Sequence, residues 1–208
     1  MRVAIFGATG RTGRLLLEES KGRGWDVSVL VRDPAKLHST EEISIVIGDA
    51  RSLPEVSRTV EGADAVFCCL AMSDTTVPAT DLSDCVKTII RAMPEKGVKR
   101  FIGIASAGEL DHPDGGYRNK EGLPEFLQYV TADQIRCYEA LLDSGLEWTL
   151  MCPGWLQEDI PVGRGKYAFE DLPEGSMETG YADLARTMAD LVEKQESFRK
   201  RVGIVSFR

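Results

Sequence analysis

Short apolar, β-branched or aromatic runs alternate with stretches of helical periodicity along the whole chain. The runs at 2–6, 26–31, 43–47, 65–70, 100–105, 148–152 and 201–207 read as strands. Several are apolar at consecutive positions, as strands covered on both faces must be. Helices are predicted between them, near 12–23, 54–60, 79–96, 132–143 and 181–194. In the third, Leu82, Val86, Ile89, Ile90 and Met93 recur with a helical period and mark a core-facing side. This alternation predicts an α/β fold with a three-layer, doubly wound parallel sheet in one domain spanning residues 1–208.

Two capping boxes sharpen the helix boundaries. Ser52-Leu53-Pro54-Glu55 offers a hydroxyl cap, a proline in the first turn and a glutamate at the third helical position, and Thr131-Ala132-Asp133-Gln134 repeats the logic. Two stretches, 107–130 and 154–178, break the rhythm, and both follow strand ends. Ligands of open α/β sheets bind beyond the carboxyl ends of the strands, so these stretches are the expected walls of a substrate site; the alternative is a pair of plain surface loops.

Composition narrows the class. At 208 residues, 43 % hydrophobic and 28 % charged, the chain has enough material for a real core and is neither disordered nor fibrous. A chain of this length buries roughly 70 % of its unfolded surface. A net charge of −8 argues against general affinity for nucleic acid or an anionic membrane, so any phosphorylated ligand needs a local site. The cysteines, Cys68, Cys69, Cys85, Cys137 and Cys152, form no CxxC pair, and with only His38 and His112 beside them no metal site is expected. Five thiols in apolar runs suit reduced, core-filling residues of a cytoplasmic protein, and the first residues lack the apolar length of a secretory signal.

The strongest chemical signal is Gly7-Ala8-Thr9-Gly10-Arg11-Thr12-Gly13, which lies between the first strand and the first helix. The glycines permit a tight turn, close approach of backbone to a pyrophosphate and close packing of helix on strand, while the helix start supplies free N–H groups to an anion. A dinucleotide is expected here. The second strand ends in Arg32-Asp33-Pro34, with Lys36 one turn on and Arg11 in the glycine loop. Three cations converging on one spot favour a ribose 2′-phosphate, hence NADP(H) over NAD(H). Asp33 stands against this, since it could accept from a free ribose hydroxyl, although beside a proline it also suits a turn. Asp49 and Ala50 follow the third strand, where adenine could be read, and Leu70 and Ala71 follow the fourth. Cys68 and Cys69, being adjacent in a strand, should face opposite sides of the sheet as packed thiols.

GATGRTG, VRDPAKL, VIGDA, GADAVFCCL and TADQIRCYEALLDSGLEWTLMCPG together resemble the atypical short-chain dehydrogenase/reductase superfamily, with its NAD(P)-binding Rossmann fold. The likeness is to its small NmrA-like NAD(P)H-binding proteins, typified by biliverdin-IXβ/flavin reductase, and it runs over roughly the whole chain. The resemblance implies that Gly7, Thr9, Gly10, Arg11, Thr12 and Gly13 hold the pyrophosphate and that Arg32 and Lys36 hold the 2′-phosphate. It further implies that Asp49 and Ala50 flank adenine, Leu70 and Ala71 line the cofactor channel, Ser106 sits beside the reacting centre, and Cys152, Pro153 and Gly154 flank the nicotinamide.

Ordinary members of that superfamily place a tyrosine four residues before a lysine, so that the ammonium lowers the phenol pKa. Here the residues four on from Tyr117, Tyr129, Tyr138, Tyr167 and Tyr181 are Glu121, Asp133, Leu142, Asp171 and Ala185. Gln134 stands where related atypical members often carry a lysine, ten residues before the serine of the SGL segment, and the capping box at Thr131 accounts for it. Without that pair, hydride transfer to a flavin-like, quinone-like or tetrapyrrole acceptor is the expected reaction, because solvent can protonate such delocalised systems. Ser106 is the candidate catalytic contact, or simply a serine ending a strand. Tyr117, Phe126, Tyr129 and Trp155 could form an aromatic cover over the acceptor, or local core. The expected partner is a small-molecule acceptor; a non-catalytic NADP(H)-binding redox sensor or scaffold is the alternative, and an epimerase or dehydratase fits less well without a base.

Overall fold

A computed structural model describes residues 1–208 except Ser73, Leu123, Glu125 and Phe126, with the side chains of Lys120 and Glu121 also outside it. Among the described residues ten strands follow one another as β1 (Arg2–Phe6), β2 (Asp26–Val31), β3 (Ile43–Ile47), β4 (Ala65–Cys68), β5 (Arg100–Ile104), β6 (Glu147–Pro153), β7 (Trp155–Gln157), β8 (Gly165–Phe169), β9 (Glu178–Gly180) and β10 (Lys200–Ser206). The α-helices are α1 (Arg11–Gly22), α2 (Leu53–Val60), α3 (Asp81–Glu95), α4 (Gln128–Leu142) and α5 (Tyr181–Leu191). The main sheet runs β3-β2-β1-β4-β5-β6-β10-β8. Every pairing in it is parallel except that of β8, which joins β10 antiparallel and closes one edge.

The order reverses between β1 and β4, the place where an open α/β sheet forms its crevice. Both faces are covered. Side chains such as Ala4, Phe6, Val66 and Phe101 meet α2, α3 and α4 on one face through Val56, Val86, Ile89, Met93 and Leu141. Val3, Ile5, Phe67 and Ile102 meet α1 and α5 on the other, through Leu16, Leu17, Leu184, Ala185 and Met188. Each such leucine or isoleucine, removed from water, contributes about 1.5–3 kcal/mol before the cost of ordering it. Cys68 and Cys69 divide between the two faces, as adjacent strand residues must.

Four departures from the sequence reading have physical reasons. Residues 154–178 hold β7 and β8, with β9 starting at their end; β7 and β9 form a separate parallel pair too short to leave a periodic signal. Ser52 stands at the N-cap of α2, but its hydroxyl makes no capping bond. Glu55 leans instead on Gly48, where a Cβ would come within 2.4 Å of its Cγ. Thr131 is no cap at all, because α4 starts at Gln128 and Thr131 is buried in its second turn.

The carboxylate of that presumed box caps another helix. Asp133 is fully buried, and its Oδ2 accepts from the N–H groups of Leu82 (3.0 Å) and Ser83 (3.2 Å) in the first turn of α3. Its Oδ1 accepts from Arg136 Nε at 3.1 Å, and Arg136 also donates to the carbonyl of Ala79. Asp133 thereby satisfies orphan N–H groups of α3 with a charge of the sign its dipole favours, and pins α4 against it. Replacing Asp133 by Ala leaves two buried donors and a guanidinium without their partner. The expected loss is about 2–4 kcal/mol, or a fall of roughly 5–15 °C in thermal midpoint, measurable by circular dichroism.

Candidate functional site

The turn from β1 into α1 is shaped by contacts that admit no side chain. A Cβ on Gly13 would lie 2.0 Å from the carbonyl oxygen of Gly7, and one on Gly7, whose φ is +84°, would lie 2.6 Å from that of Cys69. Gly10 is different. A Cβ there would meet only the Gly7 carbonyl, at 3.4 Å, so the protein's own packing does not require a glycine, and the exposed cradle it leaves is open. The N-cap of α1 is Gly10, with no side-chain cap and no acidic residue in the first turn. The first turn of this twelve-residue helix thus carries neither a side-chain cap nor an acidic residue of its own, as a pyrophosphate-binding turn requires.

Beyond the ends of β1 to β4 lies a cleft of about 290 Å³, whose walls include Gly7, Thr9, Arg32, Asp49, Ala50, Leu70 and Ala71. The three expected cations do not share it. Arg32 is on its wall, whereas Arg11 lies over the ring of Tyr181 at 4.8 Å and within 3.6 Å of Glu158, and Lys36 is not among the lining residues. Asp33 spends a carboxylate oxygen on the N–H of Ala35 at 3.0 Å, initiating the short 3-10 turn Pro34–Lys36. Thr12 and Gly13 are buried at the helix start.

The cleft holds a cation that the sequence reading overlooked. Arg51 grips Asp49 with two bonds, Nε to Oδ1 at 3.0 Å and Nη2 to Oδ2 at 2.9 Å, and its N–H donates to Oδ1 as well. These bonds hold the Asp49 carboxyl down to about 2, so both of its oxygens are charged and engaged. The only signal was an arginine two residues after the aspartate, a spacing too common to single out.

A second cleft of about 310 Å³ opens beyond β5 and β6. Ser106, Pro153, Gly154 and Trp155 line it together with Thr131 and Gln134, so Gln134 faces the cleft and does not complete a cap. Gly154 is needed there, since a Cβ would stand 2.2 Å from the carbonyl oxygen of Met177. Cys152 is fully buried below, and burial pushes its thiol far up, which removes it from any reaction near neutrality. The aromatic cover is not assembled as expected. Among the described residues only Trp155 of the proposed set lines the cleft; Tyr129 packs on the core, Tyr117 pairs with Asp111 in an isolated bridge, and Phe126 lies outside the described residues.

Behind Ser106 sits a residue that no sequence pattern marked. Glu109 is 1 % exposed, its Oε1 accepts from Ser106 Oγ at 3.1 Å, and its Oε2 is buried without a hydrogen-bond partner. Burial drives its carboxyl up to about 8, against lesser opposing effects of the Ser106 bonds and Arg201. Its loop is held from β10. Arg201 donates from Nη1 to the Glu109 carbonyl at 2.8 Å, from both Nη atoms to Asp111, and from Nε to Glu170 at 2.9 Å.

This carboxyl makes stability depend on pH. The unfolded chain loses the proton near 4.5 and the folded one near 8, so between these values the folded state binds more protons and stability falls as pH rises. Urea denaturation across that window should show a decline on the order of a few kcal/mol, and Glu109→Gln should flatten it. An unchanged slope in the variant would show that Glu109 ionises at an ordinary pH.

Comparisons with known proteins agree with this architecture. The chain is 27 % identical over 226 aligned residues to an uncharacterized chloroplastic protein of Arabidopsis thaliana, covering 99 % of this chain and 76 % of that protein. Among solved structures it is similar to the oxidoreductase ylbE from Lactococcus lactis, with TM-score 0.83, 20 % identity and coverage of 100 % and 92 % of the two chains. A provisionally named NADH-flavin reductase from Streptococcus pneumoniae superposes with TM-score 0.84 at 22 % identity, over 100 % of both chains. Among the described residues no helix is long and apolar enough to cross a membrane. With residues 7–195 matching its NAD(P)H-binding pattern, the chain belongs to the NAD(P)H-binding family.

Proposed function

We propose that the protein is an NADPH-dependent reductase that passes hydride to a small conjugated acceptor of flavin-like, quinone-like or tetrapyrrole type. The observation carrying this reading is the second cleft. A protein that only held a dinucleotide would need the glycine turn and the cleft beside Arg32, but not a further, mostly apolar recess past β5 and β6, lined by Ser106, Pro153 and Gly154. The flavin reductase name of the Streptococcus pneumoniae neighbour lends support to the acceptor class. When bound, the reduced nicotinamide supplies the hydride; Pro153 and Gly154 would shape the space against its ring, and Trp155 and Gln134 would face the acceptor.

Preference for the phosphorylated cofactor rests on Arg32. It lines the adenosine-side cleft, while the neighbouring Asp33 is committed to the Ala35 N–H and so is less free to accept from a ribose hydroxyl. The protein should oxidise NADPH, followed at its absorbance, with at least one of a panel of flavins, quinones and linear tetrapyrroles. No turnover with any of them, together with tight and strongly redox-selective binding, would instead mark a sensor. Arg32→Glu should weaken NADPH binding about 10- to 100-fold and leave NADH nearly unchanged, as loss of one charge-assisted bond of about 1.5–3 kcal/mol requires. An unaltered NADPH to NADH affinity ratio, measured by fluorescence titration, would sink the assignment.

A further inference from the structure

We propose that Glu109 is a buried proton store that feeds the second cleft through the hydroxyl of Ser106, and that the acceptor is therefore quinone-like, with an oxygen that takes up the proton. This rests on the reductase reading above and narrows its substrate class.

The geometry points one way. The polar residues on the cleft wall include Ser106, Arg118, Asn119, Thr131 and Gln134; among the described residues Ser106 is bonded to a buried carboxyl group, that of Glu109, whereas the carboxylate that Arg118 meets is exposed. Arg118 is paired with Asp171 and donates a second bond to the Asp111 carbonyl at 3.3 Å. Behind Ser106, Glu109 has one oxygen on the serine hydroxyl and the other bare in the interior. An ionised carboxylate there would leave charge on an oxygen with no donor, an arrangement that costs several kcal/mol; a protonated carboxyl avoids it.

Among the described residues no cation is hydrogen-bonded to that carboxyl. Arg201, from β10, touches Glu109 only at its backbone carbonyl and commits its remaining donors to Asp111 and Glu170. From β6 and α4 the facing groups are the thiols of Cys152 and Cys137, which burial keeps neutral, and Tyr117 is a phenol pushed upward by burial. The neutral carboxyl is thus an acid one hydrogen bond away from the cleft wall, able to release a proton close to neutral pH.

The proton transfer balances without any further reagent. The two electrons reach the acceptor with the hydride of the reduced nicotinamide, and the acceptor oxygen becomes anionic. The Ser106 O–H bond breaks as a new O–H bond forms on that oxygen. In the protonated form the direction of the 3.1 Å contact is reversed: the Glu109 carboxyl O–H donates to Ser106 Oγ, whose own hydrogen is free to face the cleft, and this carboxyl O–H breaks in turn and restores the Ser106 hydroxyl. Glu109 is left as a carboxylate and regains its proton from water. A flavin, which takes the hydride at a ring nitrogen, has less need of a proton delivered to an oxygen.

Two measurements test the relay. Difference infrared spectroscopy of the protein alone should show a protonated carboxyl at neutral pH that titrates near 8 and vanishes in Glu109→Gln. With NADPH and a quinone, kcat should fall as pH rises through about 8. Glu109→Gln should lower kcat about 100-fold or more and abolish that limb, with little change in NADPH dissociation constant. Ser106→Ala, which leaves the buried carboxyl in place, should lose a similar factor with quinones and much less with flavins. Absence of the carboxyl band, or variants that keep both rate and pH limb with a quinone, would overturn the relay while leaving the reductase reading intact. Failure of the wild-type protein to oxidise NADPH with any acceptor would overturn both.

Discussion

A Cβ on Gly13 would stand 2.0 Å from the oxygen of Gly7, and one on Gly7 would stand 2.6 Å from the oxygen of Cys69. The start of α1, the end of β1 and the end of β4 therefore meet only because no side chain separates them. Everything at the crevice depends on this contact. It sets the uncapped start of α1 against the end of β1 at the point where the strand order turns back. The sheet beyond is ordinary close packing, with apolar strands carrying helices on both faces.

The two clefts differ in how their charges are handled. In the cleft beyond β1 to β4 the polar groups are half-buried or exposed, and Asp49 and Arg51 neutralise one another across short bonds. Beyond β5 and β6 the carboxyl of Glu109 is sealed in, and the cation nearest to it is turned toward other partners. The first arrangement suits recognition of a charged ligand in water. The second suits a group that changes its protonation state with little competition from solvent.

Much of this was legible in the residues. Strand and helix alternation, the glycine turn and the two-faced burial of the parallel strands are local patterns, and their period survives in any environment. What escaped the reading depended on distant partners. Thr131 and Asp133 look like a helix start, but Tyr129 and Val130 pack on the core just ahead of them, so α4 begins at Gln128 and Asp133 lies inside it, where it caps α3. Glu109 follows Ala107 and Gly108 with nothing to distinguish it from a surface glutamate; its burial comes from β6, α4 and β10, all far along the chain. The brief strands β7 and β9 escaped because three residues carry no periodicity. Arg11 bears the expected charge but turns toward Tyr181 and Glu158, a choice made by tertiary neighbours.

Arg201 reaches back 92 positions to hold the carbonyl of Glu109 and 90 to hold Asp111. The loop that forms the floor of the second cleft is thus fastened by the strand furthest along the chain. During folding, the glycine turn needs contacts that reach no further than Cys69, but the loop under the second cleft must wait for a longer-range closure made after most of the sheet is in place. Ribosomal synthesis imposes the same sequence of events: Gly7 and Cys69 have both left the ribosome long before Arg201, which fastens the floor of the second cleft.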